Sequence, residues 1–385
     1  MTADCMTAAP GRLNPAVEDR RFRFDVATPA DNSELLQFSA QAEMSGAIRF
    51  SFDRSPDYFA ALRVEGRHTD VLVGREIKTG RLVATGHRSV KHAFVNGTAT
   101  AVAYLSGLRV GQTARSASFL SRGYARLNAL QAKHPAPIHL TTIMEDNAHA
   151  RKVLLSKRLG LPAYHDLGRF CCMALNLDGT DHADSKFSVR RASAVDATLV
   201  VEFLNRVGRA KQFFPEYGAS DFGCFDGLLP CLEWEDVFLA FDGSTLAGIV
   251  AAWDQQKIRR WRVTGYAPWL RFCRHAMNLG ARIRRMPLLP PPGSPVNCFN
   301  LALVCIHENN RNVFKALLDE VNRVCRGRYA FFLAGLHERD PLLPELMARP
   351  HVPLTSRLYA VNRENENRPQ QSLDERVPYL ELGSL

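Results

Sequence analysis

Residues 101–118, AVAYLSGLRV followed by GQTARSAS, set an apolar strand directly before a run of small residues that opens a helix. The strand ends in Leu108-Arg109-Val110, and Arg115, Ser116, Ala117 and Ser118 follow. Backbone N–H groups at a helix N-terminus have no intrahelical acceptor and sit at the positive end of the helix dipole, so they form a cradle for an anion. Small side chains let a phosphate approach the backbone, and an arginine beside it adds a charged fork. No acidic residue lies between Val110 and Tyr124, whereas Arg109, Arg115, Arg122 and Arg126 all lie close by. The stretch reads either as a phosphate cradle or as an ordinary strand-to-helix connection with solvated arginines. Its neighbours decide.

About thirty residues on, an apolar strand over 138–144 leads into Glu145-Asp146-Asn147 and a helix that carries Ala150 and ends at Gly160. The pattern Leu108-x-Val110, Arg115-Ser116-x-Ser118 resembles the acetyl-CoA-binding strand, loop and helix of the GCN5-related N-acetyltransferases. In that family an Arg/Gln-x-x-Gly-x-Gly/Ala turn holds the CoA pyrophosphate. Arg115 stands at the family's arginine, Ser116 and Ser118 stand where the family has glycines, and Leu120 occupies a usually small position. The strand 138–144 with Asn147 and Ala150 resembles the family's fifth strand and its Asn-x-x-Ala helix.

The resemblance implies acetyl-CoA or another acyl-CoA as co-substrate, and no metal. It assigns cofactor contacts to Leu108, Arg109, Val110, Arg115, Ser116, Ala117, Ser118 and Asn147. The thioester would lie in a splay between the two strands, its carbonyl polarised by a backbone N–H near 108–110. A helix tyrosine usually protonates the leaving thiolate. Counting from Asn147 puts Leu154 at that position, and counting back from Gly160 puts Ser156 there. Ser156 is thus one candidate acid, and Tyr164, read otherwise as a packed aromatic, is another. Glu145 is the candidate base.

The chain of 385 residues, 46% of them apolar, can bury more than one core. Residues 1–20 lack an apolar run of secretory type and read as disordered, and no stretch approaches the roughly 20 apolar residues of a membrane span. Nine cysteines without a Cys-x-x-Cys spacing point to reduced thiols in a cytoplasmic protein. Cys171 and Cys172, adjacent on a strand, should face opposite sides and carry a structural role.

The two halves repeat at an offset near 165 residues. Ala27, Asp31, Leu35, Leu36 and Phe38 correspond to Ala192, Asp196, Val200, Val201 and Phe203. Hairpins over 71–86 and 237–253 also correspond, and Asn96-Gly97 reads as the turn into the cradle strand. The expected class is α+β: two copies of one unit over 21–178 and 186–361, each a mixed, mostly antiparallel sheet flanked by helices. In the first copy, 161–164 and 170–177 would be the last two strands. In the second, a strand over 299–306, a helix over 311–326 and a strand over 329–336 repeat the order. The loop His307-Glu308-Asn309-Asn310 offers no glycine and puts an acid where a pyrophosphate would lie, so this copy reads as degenerate. His307, His337 and Glu338 read as substrate-facing acid–base groups or as helix caps.

Residues 254–297 form a basic insertion, with nine arginine and lysine residues against the single acid Asp254, net +8 of the chain's +10. From Pro268 a helix would set Trp269, Phe272, Cys273, Ala276 and Ile283 on one face and Arg271, Arg274, Asn278, Arg282 and Arg285 on the other. Three settings fit such a helix: an anionic membrane surface, an acidic carrier protein, or an apolar face laid over the second copy with solvated arginines. Nucleic acid is disfavoured, since no recognised module accompanies the arginines. Residues 362–385 read as a polar tail in which 377–382 returns as an edge strand.

These readings converge on an acyl-CoA-dependent N-acyltransferase, on the resemblance an acetyltransferase, acting on a small-molecule or peptide amine. The competing reading is a noncatalytic tandem module that binds acyl-CoA or a protein, at the membrane surface or away from it.

Overall fold

The computed structural model describes residues 21–41, 48–114, 116–156, 160–177, 186–283, 288–362 and 372–385. Expectations for residues 1–20, Arg115, Arg285 and the linker after Asn362 fall outside them.

The N-terminal half runs β1 (Phe22–Val26), α1 (Asn32–Ala40), β2 (Ile48–Asp53), α2 (Tyr58–Leu62), β3 (His68–Glu76), β4 (Leu82–Val95), β5 (Thr98–Val110), α3 (Ala117–Leu130), β6 (Ile138–Met144), α4 (Ala148–Leu154) and β7 (Ala163–Asn176). The C-terminal half begins β8 (Ser188–Arg191), α5 (Ala197–Gly208), β9 (Phe222–Gly223), β10 (Leu229–Pro230), β11 (Val237–Asp242) and β12 (Thr245–Trp253). It continues β13 (Arg260–Tyr266), α6 (Pro268–Ile283), β14 (Cys298–Ile306), α7 (Arg311–Cys325), β15 (Phe331–His337), α8 (Leu343–Met347), β16 (His351–Pro353) and β17 (Ser356–Asn362).

Local chemistry explains the recurring starts. Asp31 Oδ2 accepts from Thr28 N at 2.7 Å and Asp196 Oδ2 from Ser193 N at 2.9 Å, so the same side-chain cap opens a helix in each half. Asn96 and Gly97 take the positive φ of 52° and 81° that the tight turn between β4 and β5 requires.

One sheet carries both halves, in the order β1-β3-β4-β5-β6-β17-β7-β15-β14-β12-β11-β8, with β16 paired to β7. From either edge the strands are antiparallel until one parallel pair, β5 with β6 and β14 with β15. At the centre the last strands are exchanged: β17 lies between β6 and β7, and β7 pairs with β15. The boundary between residues 178 and 186 therefore divides the sequence but not the sheet. A second link joins β2 to β13, where Asp53 Oδ2 accepts from Nε of Arg260 at 3.0 Å and of Arg262 at 2.6 Å.

Three expectations are corrected. Residues 163–176 form one strand, not two, because the positive φ of Gly168 and a register shift against β17 bend it without breaking it. Residues 377–382 are no edge strand. Tyr379, Leu380 and Glu381 are buried between the halves, where Leu303 N and Val304 N donate to Glu381 Oε2 and the Tyr379 hydroxyl. Nor does α6 lay its apolar face on the protein: Trp269 is 60% and Phe272 87% exposed, and Leu270 is the side chain that goes inward.

Candidate functional site

The parallel strands β5 and β6 are paired only from Val102–Tyr104 to Ile138–Leu140 and then diverge. Thr141 Oγ1, donating to Leu105 O at 2.8 Å, marks the point where they part. A cavity of about 390 Å³ occupies the splay, walled by residues 104–110 of β5, 141–144 of β6 and one side of α3. The edge of β5 that would pair with β6 beyond Tyr104 therefore faces the cavity.

Gly107 gives this wall its shape. Its φ is +61°, and the pairing of β4 with β5 shifts register between Thr85 and His87, so the strand bulges there. A Cβ on Gly107 would stand 2.3 Å from His87 Cε1, which excludes any larger residue without displacing the ring. In the other half, Leu303 takes φ +53° at the matching shift of β12 against β14. There the N–H groups of Leu303 and Val304 are taken up by Glu381 and Tyr379. The chain's own C-terminal segment fills the second splay, and Leu385 reaches the lining of the first cavity.

Beneath the bulge lies a buried polar cluster. Glu65 Oε2 accepts from Ser106 Oγ at 2.5 Å and Ser89 Oγ at 3.3 Å, with Arg54 and Arg259 at 3.7 and 3.9 Å from Oε1. His87 has Ser106 Oγ 3.3 Å from Nδ1 and the Tyr58 hydroxyl 2.7 Å from Nε2. Burial pushes the Glu65 pKa up, but His87 and the two guanidinium groups overcome this and hold it at about 2. Burial depresses the His87 pKa below its ordinary value; Glu65 opposes this, and Arg54 and Arg109 add to it. At neutral pH the cluster contains an ionised carboxylate and a neutral imidazole.

On the opposite wall the hydroxyls of Tyr124, from α3, and Tyr164, from β7, are 2.6 Å apart. Burial raises both pKa values, so both phenols stay protonated. The rest of the lining is largely apolar, with Phe24, Leu72, Ala84, Phe119, Leu127 and Leu154 among its side chains.

Leu108, Arg109, Val110, Asn147 and Tyr164 line the cavity. Arg109 turns its guanidinium onto Ser39 O at the end of α1, and Asn147 caps α4 through Ala150 N at 3.0 Å. Ser116 caps α3 through Phe119 N at 3.2 Å, with Ser118 Oγ 3.2 Å from its hydroxyl; neither lines the cavity, and Ala117 is the first residue of α3. Ser156 Oγ donates to Val153 O at 2.7 Å, and Glu145 pairs with Arg169 and Arg357, both outside the lining. His337 is buried against Leu167 O, Glu338 Oε1 accepts from Arg169 N, and His307 is exposed. Glu65, His87, Ser106 and Tyr124 are not read as site residues from the sequence, where Tyr124 reads as part of the buried stripe of its helix, although the polar run His87-Arg88-Ser89 lies within β4 and Glu65 follows the core residue Val64.

No family model matches the chain, and no curated protein sequence matches it. Solved structures do. The Saccharomyces cerevisiae N-myristoyltransferase with bound myristoyl-CoA aligns over 95% of this chain and 86% of its own, at TM-score 0.55 and 12% identity; a second structure of it gives 94%, 89%, 0.53 and 14%. The GCN5-related glucosamine N-acetyltransferase region of a fungal multi-domain GH3 β-N-acetylglucosaminidase aligns over 89% of this chain and 38% of that one, at 0.55 and 11%. With its strand order and splayed parallel pair, the chain carries the fold shared by the GCN5-related N-acetyltransferases and the N-myristoyltransferases.

Proposed function

We propose that the chain is an acyl-CoA-dependent N-acyltransferase whose reaction takes place in the N-terminal splay. The observation that carries this reading is the contrast between two bulges of one geometry. At Leu303 the backbone N–H groups hold oxygen acceptors of the chain itself, whereas at Gly107 the matching wall faces a cavity. A thioester carbonyl there would accept from the bulge as Glu381 does from Leu303. The sequence motif's resemblance points to acetyl-CoA, whereas the N-myristoyltransferase of like fold holds myristoyl-CoA. The apolar lining of Phe24, Leu72, Phe119 and Leu127 favours a longer chain, since acetyl would leave most of it without contacts.

An acceptor amine attacks the thioester carbon, a C–N bond forms and the C–S bond breaks. The amine proton passes to Ser106 Oγ as that hydroxyl turns its own proton from Glu65 to Nδ1 of neutral His87, and ionised Glu65 stabilises the imidazolium that results. The Tyr124–Tyr164 pair donates a proton to the departing thiolate. Arg115 and the α3 N-terminus remain the proposed pyrophosphate contacts, with Asn147 near the CoA arm.

Release of CoA thiol, measured with acetyl-, octanoyl- and myristoyl-CoA against a panel of amines and N-terminal peptides, tests this. Amine-dependent release that is fastest with the longer thioesters, and slowed at least about a hundredfold by His87→Gln, is expected. No release with any thioester, from a parent that binds none of them, would refute it.

A further inference from the structure

The helix α6 is anchored along one side only. Leu270 enters a cluster with Val263, Tyr266, Val296 and Cys298. The Arg274 guanidinium lies 5.8 Å over the Tyr266 ring, and Asn278 exchanges hydrogen bonds with Leu289 O at 3.0 Å and Leu289 N at 2.8 Å. With 3.6 residues per turn, Trp269, Phe272, Cys273, Ala276 and Leu279 fall on the outward arc. Phe272 is 87% exposed and Leu279 62%, and Arg271 and His275 are exposed along one margin of that arc. No acidic residue occurs anywhere from 255 to 297. Arg259, Arg260 and Arg262 are engaged with Glu65 and Asp53, and among the described side chains of this insertion the exposed cations are Lys257 and Arg271.

We propose that α6 docks on an anionic lipid surface, with Trp269, Phe272 and Leu279 entering the boundary between headgroups and acyl chains and Arg271 lying among the lipid phosphates. The charge pattern selects this occupant. A second copy meeting it through the same helix would bring Arg271 against Arg271 with no acid of α6 to pair them, and water alone leaves an aromatic arc exposed. A lipid surface supplies anions and apolar depth side by side. No helix among the described residues is long and apolar enough to cross a membrane, so the contact is with the surface. The inference stands independently of acyl transfer.

Co-sedimentation of the full chain with phosphatidylcholine vesicles, with and without phosphatidylglycerol, tests it. The parent should pellet with the anionic vesicles only and be released by salt. Arg271→Glu and Phe272→Ser should each weaken binding about tenfold or more while leaving the melting temperature and acyl-CoA binding as in the parent. A parent that does not pellet, or binding indifferent to both substitutions, would overturn the proposal. So would a parent dimer that Phe272→Ser dissociates, which would identify the occupant as a second copy.

Discussion

The backbone N–H of Leu303 donates to Oε2 of Glu381 at 2.9 Å, across 78 residues of sequence. Glu381 also accepts from the Tyr379 hydroxyl at 2.9 Å and is fully enclosed. This contact accounts for the asymmetry of the two halves. Both build the bulge, and only one leaves it facing a cavity. Glu381→Ala would strand the Leu303 N–H and the Tyr379 hydroxyl in the interior. It should cost roughly 2–4 kcal/mol, read from urea unfolding. Calorimetry should still give a single acyl-CoA site, because Tyr379 and Leu380 keep the second splay filled. Parent-like stability, or a second site in the variant, would count against this account of the C-terminal segment.

The state of His87 predicts a pH dependence. Its folded pKa is depressed, so the unfolded chain takes up that proton first, near pH 6.5. The imidazole's contribution is therefore complete above about pH 6.5 and is lost as pH falls through the lower folded value. Between pH 7.5 and 5 the unfolding free energy should decline, and His87→Gln should flatten that slope whatever its own effect on stability. Denaturant melts at several pH values check this; equal slopes would place the charge change elsewhere.

Asp53 joins the halves through Arg260 and Arg262. Burial raises its pKa, but hydrogen bonds from Ser55 and the two arginines more than offset this and hold it well below the usual carboxylate range. Asp53→Ala should cost about 1–3 kcal/mol. It should also speed amide exchange in β2 and β13 ahead of β4 and β5, which hydrogen-exchange mass spectrometry resolves. Uniformly faster exchange across the sheet would mean that the link is not a local one.

Much of this fold is legible in the residues. Asn96-Gly97, the Thr28–Asp31 and Ser193–Asp196 caps, and the apolar stripe of α7 are local signals, and each element formed where its signal lies. The exchange of β7 and β17 is not legible, because Ser356 pairs with Met144 through contacts that no neighbouring residue encodes. Periodicity showed that α6 has an apolar arc but carries no information on which way the arc points. The site was half visible. The cradle strand announced itself by composition, while Glu65, Ser106 and His87 come from separate elements and meet only in the folded sheet. The polar run His87-Arg88-Ser89 within β4 and the place of Glu65 beside the core residue Val64 were their traces.

The central claim is that acyl-CoA binds at the Gly107 bulge. Isothermal titration of myristoyl-CoA into the parent and Gly107→Val proteins tests it most directly, with circular dichroism confirming that the variant is folded. A valine there meets both the positive φ and the His87 ring. The account predicts one micromolar site in the parent, roughly 8 kcal/mol of binding free energy, lost or weakened at least about a hundredfold in the variant. Equal affinity in a folded Gly107→Val protein would contradict it.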